Sequence, residues 1–276
     1  MNRRALLQLG VVGLLVVPTL AGSPAVVAQT PAATAGLDDS YDGLLKRYVQ
    51  ANPDGVNRVD YSRWKATATD VKALKDYIAA LAGQAPSKFA RNEAFAYWAN
   101  LYNAITLDVV LGRFPVKSIR DIKSDGLFDP KAYTGPWRSK RVTVEGKTLS
   151  LDEIEHEMMR PVFKDPRVHY SVNCASFGCP NLPNKAWRAS TLDGDLDAAA
   201  RDFINHKRGV EVVGSKLRVS SIYKWFRDDF GPDDAAVIAH FRKYASPELK
   251  TQLEKAVSIG EDQYDWTLNV IGSKGT

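Results

Sequence analysis

Both cysteines of the chain, Cys174 and Cys179, and two of its four histidines, His156 and His169, fall within residues 156–179. A thiol attacks as its thiolate, so Cys174 needs a neighbour that draws off its proton. His169 stands five residues before it in RVHYSVNCASFGCP (167–180). His156 lies beside Asp152 and Glu153, either of which can orient an imidazole. These residue types point to a thiol-dependent hydrolase or acyl-transferase, with Cys174 as nucleophile and His156 or His169 as base. The spacing adds a constraint. Arg167–Asn173 is expected to be a strand, with Val168, Tyr170 and Val172 on one side and His169, Ser171 and Asn173 on the other. An unbroken strand would put His169 and Cys174 on opposite faces, so the dyad requires the chain to turn near Asn173.

The same residues support other chemistry. Four residues, Gly178 among them, separate the cysteines, enough slack for a disulfide if the loop folds back. Such a bond would make this a structural staple in a non-catalytic periplasmic module that binds a ligand or partner. The spacing is not the CxxC of thioredoxin-like proteins. His156, His169, Cys174 and Cys179 are all zinc-ligand types, but no tight knuckle joins them, and no metal or cofactor is expected. Arg167, with Arg160 and Arg188, could clamp an anionic group, and Trp137, Trp187 and Trp225 could line a groove. Asn100 and Asn103 lie three apart and share a helix face. Buried amides must find partners, so these two either brace loops or, with Asn173 and Arg167, belong to a binding site. His206 and His240 sit among lysines and arginines and are expected in solvent. No GxSxG, HExxH or glycine-rich phosphate loop occurs.

The elements that must position these residues are mostly helical. Periodicity predicts helices near 44–49, 66–81 and 88–111, the last with Ser87 as its cap. The 88–111 segment is apolar around most of its circumference, so it is expected at the centre of the molecule. Further helices are expected at 151–159 (capped by Ser150 with Glu153, ended by Pro161), 191–205, 221–226, 233–244 and 247–255. Residues 124–136 are expected to be loop. Hairpins are expected at 141–149 and 210–219, and a last strand at 263–270. The sum is a single α+β domain, mostly helical, with short antiparallel strands and hairpins around a long buried central helix.

The first 28 residues stand apart. Arg3 and Arg4 precede an apolar run, and Val26-Val27-Ala28 offers a cleavage site, so 1–28 is expected to be a signal peptide. The arginine pair also suits twin-arginine export. Residues 29–38 are small and polar and are expected to be a disordered linker, leaving 39–276 as the domain. The apolar run falls short of the about 20 residues that a span needs, so no stable membrane span is expected after processing. The chain carries +5, and the leader holds two arginines and no acid, leaving +3 on the remainder. That mild charge excludes nucleic acid as an expected partner; an unknown small molecule or protein is expected instead. Localisation is expected to be periplasmic or secreted.

Five stretches carry a resemblance: YWANLYNAITLDVVL (97–111), FPVKSIRDI (114–122), LSLDEIEH (149–156), DPRVHYSVNCASFGCPNL (165–182) and YDWTLN (264–269). Together they resemble the domain-of-unknown-function family 547, over about Val59 to Asn269. The resemblance implies an exported bacterial protein with one domain. It marks Asn100, Asn103, His156, His169, Cys174 and Cys179 as motif positions without giving them roles.

Overall fold

The computed structural model describes residues 32–124, 135–255 and 258–275. The signal peptide at 1–28 and most of the loop at 124–136 lie outside the described residues. Chain order begins with α1 (Ala32–Tyr48), β1 (Val49–Gln50), β2 (Arg58–Val59), α2 (Tyr61–Ala66) and α3 (Ala68–Ala82). The first helix is thus longer than the 44–49 that periodicity marks, and it begins within the stretch 29–38.

The long helix α4 (Arg91–Arg113) is the axis of the fold. From Phe95 to Leu111 every residue except Asp108 is buried, as an apolar surface on all sides requires. Ser87 does not cap it. Ala90 occupies the N-cap without a side-chain bond, and Ser87 instead hydrogen-bonds the Glu145 carboxylate.

The hairpin β3 (Val142–Val144) and β4 (Lys147–Leu149) leads into α5 (Leu151–Glu153). Ser150 and Glu153 form a capping box, each satisfying the other's main-chain N–H. Pro161 does not end this helix. A π turn (Ile154–Met159) widens it and continues as α6 (Arg160–Phe163), with the proline in its first turn. There the missing N–H costs least. Such turns concentrate at functional sites, and this one carries Glu155 and His156.

Arg167–Asn173 is not a strand. Val168–Ser171 forms one helical turn, α7, and all four of its residues are buried. The alternation of the sequence is therefore not a division between two sheet faces. Val168 and Val172 pack into the core around α4, while Tyr170 packs into a second core. That second core is built by α8 (Leu192–Ile204), the hairpin β5 (Val210–Val213) and β6 (Lys216–Ser220), α9 (Ile222–Trp225), α10 (Arg227–Phe230), α11 (Asp234–Tyr244) and α12 (Pro247–Leu253).

The last strand also moves. β7 is Ser258–Gln263, earlier than the predicted 263–270, and it pairs in parallel with β6. Residues 264–271 then run as an irregular strap. Its main chain bonds Ala175, Phe177 and Gly178 in the cysteine loop, Lys117 after α4, and Val59 in β2. The whole is a single α+β domain, mostly helical, with small sheets. Among the described residues no helix is long and apolar enough to cross a membrane.

Candidate active site

The cysteine loop is held by side-chain amides. Asn103 receives the Asn173 N–H at 2.8 Å and donates to Ser171 O at 2.9 Å. Asn100 does the same for Trp187, receiving its N–H and donating to its carbonyl, both at 2.9 Å. Asn173 accepts from Ala175 N and donates to Pro180 O. Three buried amides thus satisfy main chain that no ladder or helix pairs. Trp187 is part of the brace, its indole donating to Ser171 O. The amides fold the loop back so that the two cysteines meet. Ala175 takes up the turn at φ +61°, a conformation that costs a residue with a Cβ.

Both cysteines are free thiols, near each other and not bonded. Cys174 is half-buried and Cys179 buried. The Cys174 main-chain N–H donates to Cys179 Sγ at 3.0 Å. The Tyr264 hydroxyl also donates to Cys179 Sγ at 3.0 Å and lies 3.0 Å from Cys174 Sγ. Ser176 Oγ donates to the same phenol at 2.9 Å and lies 3.2 Å from Cys174 Sγ. A phenol has one proton to give. With that proton directed at Cys179, the Cys174 thiol is left to donate to oxygen. The Tyr264 O–H and the Cys174 N–H both donate to the Cys179 sulfur, and the Cys174 S–H lies close enough to give its proton to the phenol or to this sulfur.

That arrangement separates the two thiols. Burial alone would push Cys179 up, but the bonds from Cys174, Tyr264 and the Cys174 N–H outweigh it and bring the thiol down to about 7. Burial and the neighbouring sulfur push Cys174 up. Burial and the two sulfurs also push the Tyr264 phenol up. Of the two sulfurs, Cys179 is the one whose surroundings favour the thiolate.

Both sulfurs lie in an apolar cavity of about 100 Å³. Tyr102, Trp137, Trp225, Phe226 and Trp266 contribute aromatic walls, and Glu155 and His169 also line it. The sequence-predicted residues divide here. His169 shares the cavity with the thiols, yet neither of its nitrogens hydrogen-bonds sulfur. Its Nε2 meets Asp229 Oδ2 at 2.6 Å, its Nδ1 faces Glu155 at 3.7 Å, and its ring stacks on Phe226 at 4.4 Å. His156 lies in a separate polar cleft, with Nδ1 3.0 Å from Arg160 and Nε2 3.5 Å from Asp152. The expected sulfur–imidazole contact is therefore absent for both histidines.

Arg167 pairs with Asp165, Asp193 and Asp197, Arg160 with Asp229, and Arg188 with Asp39 and Asp42. These arginines brace the fold. No group of three or more His, Cys, Asp or Glu side chains among the described residues is arranged to hold a metal ion. His240 is not in solvent: it stacks on Tyr170 and accepts or donates at its hydroxyl, 2.8 Å away. Tyr264, Ser176 and Asp229 are the site residues that spacing does not reveal. Tyr264 belongs to one of the recognised stretches, but nothing local ties it to a loop 85 residues away.

The family model described as Protein of unknown function, DUF547, matches residues 86–204. Over these residues the chain is similar to this family. The match contains α4, the amide brace, His156, His169 and both cysteines. The strap with Tyr264 lies beyond it, so the DUF547 segment ends short of one of the groups that touch its sulfurs. No curated protein and no solved structure matches the chain.

Proposed function

We propose that the chain is a thiol-dependent acyl-transferase or hydrolase, with Cys174 as the nucleophile and Cys179 as its base. The observation that supports this reading is the pair of reduced thiols joined through one phenol on the wall of an apolar cavity. Cys174 is the more exposed residue of the two. As Cys174 attacks an acyl carbon, its proton passes to the Tyr264 oxygen while the Tyr264 proton passes to Cys179. A carbon–sulfur bond forms, and the carbonyl electrons move to oxygen. When the intermediate collapses, the relay runs backwards and the leaving group departs with the proton, leaving a thioester on Cys174. Water or an acceptor nucleophile then attacks its carbonyl, gives its proton to the same relay, and the C–S bond breaks as Cys174 takes a proton back. This assigns to Cys179 and Tyr264 the task expected of a histidine. The cavity volume suits a short apolar acyl group. A periplasmic or extracellular mature chain is part of this proposal, and the basic pair Arg3-Arg4 before an apolar run is what supports it.

Incubation with a short-chain aryl ester, followed by intact-mass and peptide analysis, tests the reading. An acyl adduct on Cys174 that is lost in Cys174→Ser is the expected result. Absence of any adduct, with both thiols still open to a small alkylating reagent, overturns it. A probe that binds without forming an adduct would leave the cavity as a ligand-binding site alone.

A further inference from the structure

Arg208 lies on the turn from α8 into β5 and is only 8% exposed. A buried charge is costly unless something of opposite sign faces it. Arg208 nevertheless forms no ion pair with a carboxylate among the described residues. Its Nη1 donates to Phe177 O at 3.2 Å and its Nη2 to Asn181 Oδ1 at 2.7 Å. Its Nε is buried without a partner, and its plane lies over the Phe203 ring, 5.5 Å from the centroid. The two acceptors stand two residues before and two residues after Cys179. The guanidinium therefore spans the loop segment that carries this sulfur.

We propose that Arg208 is the buried counter-charge that holds the Cys179 sulfur as a thiolate, a positioning residue that acts through the thiol pair. The inference rests on the thiol reading above but does not require turnover. Arginine suits the role because it keeps its charge when buried and presents a rigid fork. Burial loosens its own proton, to about 10, and the anions of Cys179 and then Tyr264 are the largest influences opposing that. The bonds from Cys174, Tyr264 and Ser176 are the largest influences lowering the sulfur, and the buried guanidinium bridging Phe177 and Asn181 adds its charge to theirs.

The other charges around Arg208 supply no comparable partner. Asp54 is paired with Arg58. Asp202 and His206 feel the Arg208 charge from outside the loop. Around the sulfurs stand Cys174, Tyr264, Tyr61 and Tyr102, none of them a cation. His169, in the same cavity, is held by Asp229. A loop brace alone could have been a neutral amide, and the absence of a paired carboxylate is what a thiolate counter-charge explains.

The test is a titration of thiolate far-ultraviolet absorbance on the reduced, folded protein. It compares the parent with Arg208→Gln, Arg208→Lys and Asn181→Ala. Loss of the charge in Arg208→Gln should raise the first thiol midpoint by about one pH unit or more. Arg208→Lys should stay near the parent, as should Asn181→Ala, which removes an acceptor and keeps the charge. An unchanged midpoint in folded Arg208→Gln overturns the proposal, and so does a comparable shift in Asn181→Ala. If Arg208→Gln does not fold, Arg208→Met takes its place as the neutral variant: a raised midpoint supports the proposal and an unchanged one overturns it. A shifted midpoint with no acyl adduct would keep Arg208 in this role and reject the enzyme reading. An adduct with an unshifted midpoint would do the reverse.

Discussion

At the sulfurs, the direction of one phenolic proton separates two otherwise similar thiols. Tyr264 donates to Cys179, so Cys174 must donate in turn. Tyr264→Phe keeps the ring against Trp225 and Trp266 and removes the relay. Acylation of Cys174 should then fall by about 100-fold, read by stopped-flow against an aryl ester, with the fold unchanged by circular dichroism. Asp229 offers a second residue-level prediction. Burial raises its carboxyl, but the bonds from His169 and Arg160 prevail and bring it down to about 2. An unfolded aspartate titrates near about 4. The stabilisation is thus fully present above about pH 4 and is lost as pH falls through about 2. Asp229→Asn should be less stable at neutral pH by at most about 2 kcal/mol, since its side chain is a quarter exposed and screened. Between about pH 4 and 2 its urea midpoint should change less than the parent's; equal acid sensitivity would contradict the assignment.

The cysteine loop works as an element because another segment lies directly against it. A Cβ on Gly178 would sit 2.8 Å from Asp265 N and 2.9 Å from Asp265 O, closer than real Cβ atoms approach. Gly178→Ala should therefore push the strap away and separate Tyr264 from both sulfurs. The expected result is a higher pH midpoint for alkylation of the thiols, with α4 and its core still protected in hydrogen exchange. An unaltered alkylation profile would mean that the strap does not set the thiol environment. Some caps at this scale follow from local chemistry and others do not: Ala90 rather than Ser87 starts α4, and Pro161 lies within α6. The Ser150–Glu153 box and both hairpins form where their residues predict. The alternation in Arg167–Asn173 misleads because two different cores take up its apolar residues on a helical turn.

Across the whole molecule, the strap joins parts distant in sequence. Asn269 accepts from the buried Tyr61 hydroxyl at 2.9 Å, donates its N–H to Ala175 O and accepts from Val59 N. Asn269→Ala would strand the Tyr61 hydroxyl, at a cost of about 1–3 kcal/mol. Urea unfolding should show that loss, along with a slower reaction of the thiols at pH 7; a loss confined to stability would separate the strap from the site.

The buried helix at 91–113, the hairpins, the capped turns and the cysteine-bearing motif were legible in the sequence, because each depends on periodicity or on residues a few positions apart. The paired asparagines were legible as buried amides that need partners, and the structure satisfies them with main chain. Other features depended on segments far apart in sequence coming together, which no local pattern encodes. The helical turn at His169, the parallel β7, the lack of a hydrogen bond from either imidazole to sulfur, the placing of Tyr264 against both sulfurs and the bridging of Phe177 and Asn181 by Arg208 are of that kind. The residue types by themselves determined that thiol chemistry was available. Only the tertiary structure decided which groups share the thiol proton, because that depends on the cysteine loop and the strap, far apart in sequence, packing within hydrogen-bond distance of one another.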